Sequence, residues 1–321
     1  MDILILIIGL ALILLGANYL VDGASAIAKK AGLSDFIIGM TIVGIGTSTP
    51  EMVVSFASAI KGNADIAVGN VLGSNLFNTL MILGITALFY PIRLTSNNVK
   101  KDIPFALLAA FVLCTFGCST WLDNTTVNTI SRVGGILLLS LFGVFMAYTI
   151  YSSSSQKDSL PDNSSGNIKA TPVWKAILMV LGGLCGLVFG GDMFVNSASA
   201  IAKSLGVSDA VIAVTIVAGG TSMPELASCL VAAFKKNTDQ ALGNVIGSNV
   251  SNIFLILGGS ATIHPLVMSG TKPLDLITLM IASLLVFIFA FTFKKKQIDR
   301  IEGALLVCIY IGFIALTLHS L

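Results

Sequence analysis

Residues 16 to 84 of this chain reappear, without a gap, 174 positions further on: 35 of those 69 positions are identical to their partners at 190 to 258. "VDGASAIAKKAGLSD" becomes "VNSASAIAKSLGVSD", "GTSTPE" becomes "GTSMPE", and "KGNADIAVGNVLGSNLFN" becomes "KKNTDQALGNVIGSNVSN". A fold for this sequence must therefore use one five-element pattern twice. Composition fixes the medium in which it does so. The chain of 321 residues is 55% hydrophobic and 11% charged, with a mean hydropathy of +0.94, where soluble domains carry about 25% charged residues. Repeated apolar runs of membrane length then point to an all-α integral membrane protein.

Ten such runs fall at roughly 3–21, 36–60, 66–89, 104–121, 133–151, 173–195, 210–234, 240–263, 275–293 and 301–320. The Ser/Asn/Pro-rich stretch 152–172 reads as a linker. It separates a first five-helix repeat (1–151) from a second (173–321). Each repeat has an odd number of spans, so the second enters the membrane in the opposite sense. This predicts two inverted-topology repeats of five transmembrane helices, an architecture found in secondary transporters. Of the 18 Lys and Arg residues, only Lys61, Arg132, Lys203 and Lys272 fall on one face, and the other 14 share the opposite one. The positive-inside tendency makes the rich face, with the 152–172 linker, cytoplasmic and places both termini outside.

The remaining inventory is mostly exclusion. A formal net charge of +2, with no basic cluster interleaved with aromatics, argues against nucleic acid as a partner. The five cysteines are scattered through apolar runs, and no His or further Cys completes a metal site around Cys114 and Cys118. No HExxH, aspartyl pair or Ser–His arrangement lies in the spans, so the chain reads as no enzyme. The N-terminal run lacks a basic leader and a cleavage site and reads as a first span. Lys61 and Lys235 are expected at helix C-termini, and Asp35, Asp209, Asp65 and Asp239 at helix N-caps. Asn18, Asp22, Asp192 and Asn196 are expected at a polar vestibule or interface.

Two carboxylates resist a structural explanation. Glu51 and Glu225 lie near the middle of their spans, where an ionised group costs at least about 2.5–3.5 kcal/mol, and nothing basic shares the span. Thr47 and Thr221 precede them by four residues, and Pro50 and Pro224 break the ladder at Gly46 and Gly220, freeing carbonyls where irregular backbone is tolerated only around a cavity or inside protein. A second layer follows in Ser74 and Asn78, and in Ser248 and Asn252, again four apart. Gly69, Gly73, Gly243 and Gly247 permit close helix approach. Asn70, Asn75, Asn244 and Asn249 are expected to hold the broken helices by hydrogen bonds. The donor set is hard oxygen, suited to Ca²⁺ or Na⁺ and not to zinc, copper or iron. Two Glu charges balance one Ca²⁺ or a few Na⁺, so one load excludes the other, which is the physical basis of antiport.

At "GTSTPE…GNVLGSN" and "GTSMPE…GNVIGSN" the chain resembles the Ca²⁺/cation antiporter superfamily, specifically the prokaryotic Na⁺/Ca²⁺ exchangers. The resemblance implies Ca²⁺ held by Glu51, Glu225 and the carbonyls of Thr47 and Thr221. It implies flanking Na⁺ sites at Ser74, Ser248 and the carbonyls of Gly44 and Ala218, with spans one and six sliding against a fixed core and three Na⁺ exchanged per Ca²⁺. Where many members carry Asp at one of two positions, this chain has Asn78 and Asn252, which weighs against K⁺ co-transport. The expected function is Na⁺/Ca²⁺ antiport in a prokaryotic inner membrane. A monomer suffices for transport, Ca²⁺, Na⁺ and the bilayer are the partners, and no cofactor is needed beyond the transported ions. A H⁺/Ca²⁺ antiporter is the alternative. A channel would not need the duplicated halves.

Overall fold

The computed structural model describes residues 2–122, 124, 126–155, 171–207, 218–292 and 296–319. Among the described residues the regular structure is helical apart from two short antiparallel pairings: Ile92–Arg93 with Gln297–Ile298, and Thr129–Ile130 with Leu266–Val267. Among the described residues six helices are long and apolar enough to cross a bilayer. They are α1 (Asp2–Ala31), α4 (Ala64–Phe89), α6 (Arg132–Tyr151), α7 (Val173–Ser204), α9 (Thr238–Ile263) and α11 (Arg300–His319). A broken pair, α2 (Asp35–Thr47) and α3 (Thr49–Ile60), bent by 46°, makes a seventh if counted as one span. The shorter apolar helices are α5 (Ile103–Gly117), α8 (Met223–Phe234) and α10 (Pro273–Phe289). The expected run 210–234 is described in its second part alone, since 208–217 lies outside the described residues, as do Asp209 and most of the linker.

Burial sorts the helices. α4 and α9, which carry the two GNxxGSN segments, are buried along most of their length, whereas α1, α6, α7 and α11 bury less than a third of theirs and turn the rest outward. Large apolar side chains on those outer faces, such as Leu15 and Tyr19 on α1 and Phe189 on α7, are more than half exposed. In a bilayer that surface is solvated by acyl chains. It needs no partner there.

Helix ends follow the sequence only in part. Lys61 and Lys235 stand at the C-caps of α3 and α8 as expected. The N-caps do not fall on the aspartates. Ser34 caps α2 by accepting from Ile37 N, Asn63 precedes α4, and Asn237 caps α9 by accepting from Gln240 N. Asp35, Asp65 and Asp239 sit one or two residues inside, in the first turn, where a carboxylate still gains from the positive end of the helix. Asp65 also accepts from Ser269 Oγ and Gly270 N of the α9–α10 connection, at 2.9 and 2.7 Å. Asp22 meets Lys235 Nζ at 2.7 Å on an exposed edge.

α1 and α7 are the longest helices, and they lie against each other through glycine. A Cβ on Gly9 would meet Gly190 O at 2.9 Å, one on Gly16 would meet Gly183 O at 2.7 Å, and one on Gly23 would meet Ala176 O at 2.8 Å. The contacts recur every seven residues on both helices with opposite numbering direction, so the pair is antiparallel and in contact along most of its length. Backbones this close exchange many dispersion contacts that a larger side chain would forbid. Gly183→Ala is therefore expected to destabilise the protein by about 1–3 kcal/mol through overpacking against Leu20. Its neighbour Gly182, which has nothing within 4 Å and faces outward, should accept Ala with no loss, because Ala favours helix. Thermal unfolding of the two variants in one detergent checks the contrast.

Candidate cation site

Each half interrupts a helix at the same point and places a serine in the break. Ser48 has φ −78° and ψ 11° between α2 and α3, and Ser222 has φ −90° and ψ 9° at the start of α8. Both conformations lie near the bridge region. Pro50 and Pro224 follow at the first or second helical position, where a missing N–H costs nothing. Glu51 and Glu225 therefore stand in the first turn of a fresh helix deep inside the molecule, at its positive end. Both are fully buried, with 0% exposure.

The two halves bond across to each other. Ser48 donates to Glu225 Oε1 at 2.9 Å, and Ser222 donates to Glu51 Oε1 at 3.0 Å. Ser74 donates to the same Glu51 oxygen at 3.2 Å, with Ser222 Oγ 3.0 Å away. Asn252, from the second half, donates its amide to Ser74 Oγ and to Asn75 Oδ1, both at 3.0 Å. Ser248 donates to the carbonyl of Gly44 at 3.1 Å. Thus Glu51, Ser74, Ser222 and Asn252 form one connected group, and Glu225, Ser48, Asn244, Ser248 and Gly44 a second, because Ser248 donates to Asn244 Oδ1 at 3.4 Å and Asn244 donates to the Glu225 carbonyl. Ser48 and Ser222, each three residues before one glutamate, reach the glutamate of the other half.

What remains unpaired is as informative. Glu51 Oε2, Glu225 Oε2, Thr221 Oγ1, Asn252 Oδ1 and both amide atoms of Asn78 are buried without a hydrogen-bond partner in the protein. Buried polar atoms are almost always satisfied, and these gather in the same polar interior. Among the described residues no group of three or more His, Cys, Asp or Glu converges. A cation here would thus be held by two carboxylates completed by hydroxyl, amide and backbone oxygens. That set suits Ca²⁺ or Na⁺. Its donors carry no thiolate or imidazole to select a transition metal.

Several sequence expectations change in detail. Thr47 and Glu51 do not share a helical face, because the helix breaks between them. Thr47 Oγ1 instead lies 3.0 Å from Val43 O and 3.2 Å from Asn244 Oδ1. The carbonyl of Gly46, freed by Pro50, is taken by Thr49 Oγ1 at 2.6 Å, and the matching residue in the second half is Met223, which cannot do this. Ser48 and Ser222 touch the carboxylates and were not among the candidates; their retention in both copies of the repeat was the available signal. Asn78 and Asn252 sit in wide, π-type turns, Phe77–Ile82 and Asn252–Leu257, a distortion common at functional sites. Ala218 begins a short turn, Ala218–Gly220, whose preceding residues are not described.

Asn70 and Asn244 brace the breaks. Asn70 donates to Glu51 O and Ser55 Oγ at 3.1 and 3.0 Å. Asn244 donates to Ser228 Oγ at 2.7 Å and Glu225 O at 3.4 Å. Asn75 donates to Asn249 O at 3.2 Å, and Asn249 to Thr79 Oγ1 at 2.7 Å, tying α4 to α9. Glycine brings α9 against α2 instead: a Cβ on Gly243 would collide with Phe36 O, and one on Gly247 with Met40 O, whereas Gly69 and Gly73 on α4 have nothing within 4 Å.

The sodium/calcium exchanger protein family matches residues 1–151 and 175–319. The sodium/calcium exchanger MaX1 of Methanosarcina acetivorans is 33% identical, over 99% of each chain. The inner membrane protein YrbG of Escherichia coli is 34% identical, over 81% of this chain and 79% of its own. A solved structure of the sodium-calcium exchanger NCX_Mj, soaked with Na⁺ and Sr²⁺, superposes with a TM-score of 0.82 at 32% identity, covering 98% of this chain and 97% of that one.

Glu51→Gln removes one of two buried charges that have no basic partner, so it should raise the melting temperature in chelator. The same change should abolish the stabilisation that added Ca²⁺ gives the parent protein. A thermal-shift titration with and without Ca²⁺ reads both effects.

Proposed function

The chain belongs to the sodium/calcium exchanger protein family, a family of membrane transporters, and on that premise we propose that it exchanges Na⁺ for Ca²⁺ through one shared cation site. Cation/Ca²⁺ antiport is the family's activity. The coupling ion is the finer reading. The observation that carries it is the pair of fully buried carboxylates, Glu51 and Glu225, each held by a serine of the other half and each with one oxygen left without a protein partner.

Electrostatics then dictates exclusion. With both carboxylates ionised the cage carries −2, which one Ca²⁺ or a few Na⁺ compensate. Holding both loads would leave a large net positive charge in a low-dielectric interior, at a cost of several kcal/mol per uncompensated charge. In the proposed assignment Ca²⁺ sits between Glu51 and Glu225 with the carbonyls of Thr47 and Thr221. Na⁺ is held by Ser74 with the carbonyl of Ala218, and by Ser248 with the carbonyl of Gly44. Asn78 and Asn252 line the space between as neutral amides, leaving no further carboxylate to carry a proton or to hold K⁺. Ser48 and Ser222 orient the carboxylates. Ca²⁺ and Na⁺ are cargo, and the reading asks for no resident cofactor.

The remaining assignments belong to the same proposal. The chain forms ten spans as two inverted repeats, 1–151 and 173–321, joined by a cytoplasmic linker at 152–172, with both termini outside and the cell inner membrane as its location. The α1–α7 pair, fused by its glycines, moves as one body past the core of α4 and α9. It thereby exposes the site to each face in turn. One copy holds both carboxylates, so a monomer suffices.

The experiment is Ca²⁺ uptake into proteoliposomes under Na⁺, K⁺ and H⁺ gradients imposed one at a time. Uptake should follow the Na⁺ gradient alone, and Glu51→Gln or Glu225→Gln should lower it at least about a hundredfold, as expected for losing one partner of a buried charge arrangement. Uptake driven by a pH gradient without Na⁺ would transfer the assignment to H⁺/Ca²⁺ exchange. Ser222→Ala leaves the carboxylate in place but removes one donor, so it should raise the Ca²⁺ concentration for half-maximal uptake by about ten- to a hundredfold, the worth of one hydrogen bond to a charged group.

A further inference from the structure

A groove of about 660 Å³ opens beside the start of α5 and the end of α10, on the lysine-rich face and away from the cation site. Its floor is apolar, with Val99 and Pro104 on one wall and the rings of Phe287 and Phe291 on the other; the two rings are 5.3 Å apart at their centroids. Its rim is basic: Lys100 and Lys296, both exposed, with Ser96 between them. No Asp or Glu is among its lining residues, and among the described residues neither lysine meets a carboxylate. The rim is also built. Lys296 adopts a left-handed backbone (φ +61°), its N–H donates to Ala290 O at 3.0 Å, its carbonyl accepts from Leu94 N at 2.8 Å, and its Nζ donates to Ser96 Oγ at 2.8 Å. A neighbouring hollow of about 320 Å³ shares Lys100 and Pro104 and adds Lys101, whose Nζ lies 5.3 Å over the Tyr148 ring.

We propose that this groove binds one anionic phospholipid, its phosphate between Lys100 and Lys296 and an acyl chain along Phe287 and Phe291. Three observations choose this occupant. The groove lies at the ends of membrane helices, so in place it opens to lipid, with the 59%-exposed Phe291 at its mouth. An apolar floor under a basic rim matches the two ends of a phospholipid, and basic pockets between transmembrane helices are suited to acidic headgroups. The volume falls in the range of sites that enclose a small molecule. Nothing in the argument depends on which ion drives transport, so it stands or falls apart from the exchanger reading.

The test uses the full chain in vesicles, with its own Trp121 and Trp174 replaced by Phe and a single reporter, Phe291→Trp. Brominated phosphatidylglycerol in phosphatidylcholine is compared with the reverse labelling. The reporter should be quenched more by the anionic lipid at equal mole fraction. Lys100→Gln with Lys296→Gln should lower that preference by roughly fivefold per lysine, while Lys100→Arg with Lys296→Arg retains it. Removing charge elsewhere on the same face, Lys29→Gln with Lys30→Gln, should leave it within about twofold. Equal quenching by the two lipids in the reporter chain overturns the proposal, and so does an equal loss in the two Gln pairs, which would mean a general surface potential and no site. Native mass spectrometry of the unaltered chain, mixed with equimolar phosphatidylglycerol and phosphatidylcholine, gives an independent reading. Retention of one anionic lipid supports the site, and indifferent retention removes it.

Discussion

Two fully buried carboxylates, with no basic side chain bonded to them among the described residues, are the constraint around which this molecule is arranged. Glu51 and Glu225 each destabilise an apolar interior by several kcal/mol when ionised and unpaired. The chain answers with partial compensation. Each carboxylate stands at the positive end of a helix that begins just before it, and each accepts from a serine in the opposite half. One oxygen on each is left over. A protein that satisfied both fully would have no affinity left for a transported cation. A protein that satisfied neither would not fold around them.

Keeping those helix starts in place requires rigid neighbours. Asn70 and Asn244 bond to the carbonyls of the two glutamates themselves, so the breaks are fixed by α4 and α9 and not by their own helices. α4 and α9 can do this because they are the most buried helices and are pinned to one another through Asn75, Asn249 and Thr79. The outer helices share little of this network. α1 and α7 meet each other backbone to backbone, by contacts that are numerous, apolar and unspecific to depth. Polar bonding is thus concentrated around the two glutamates, and the outer layer is held by apolar packing.

Much of this was legible before any coordinates. The gapless repeat located the breaks, the apolar runs located the helices, and the missing basic partner singled out Glu51 and Glu225. What escaped shares one cause: a four-residue spacing implies a common face only along an unbroken helix. The break at Ser48 took Thr47 off the face of Glu51 and put Ser48 itself, with Ser222, against the carboxylates. Asn252, at the start of its wide turn, still reaches the Glu51 group through Ser74. The N-caps failed for a smaller reason. Ser34, Asn63 and Asn237 stand next to the aspartates, and short polar side chains compete for the cap on nearly equal terms.

The halves are related but not interchangeable, and one glycine shows the consequence. Gly39 lies so close to Gln240 that a Cβ would collide with its carbonyl oxygen. The residue 174 positions later is Ala213, which carries that very carbon. Should the second half ever approach its neighbour as the first half does here, it would be held off by the width of a methyl group. A duplicated pattern therefore does not produce two identical contacts: the depth of approach that a glycine permits in the first half is denied to an alanine at the matching position of the second.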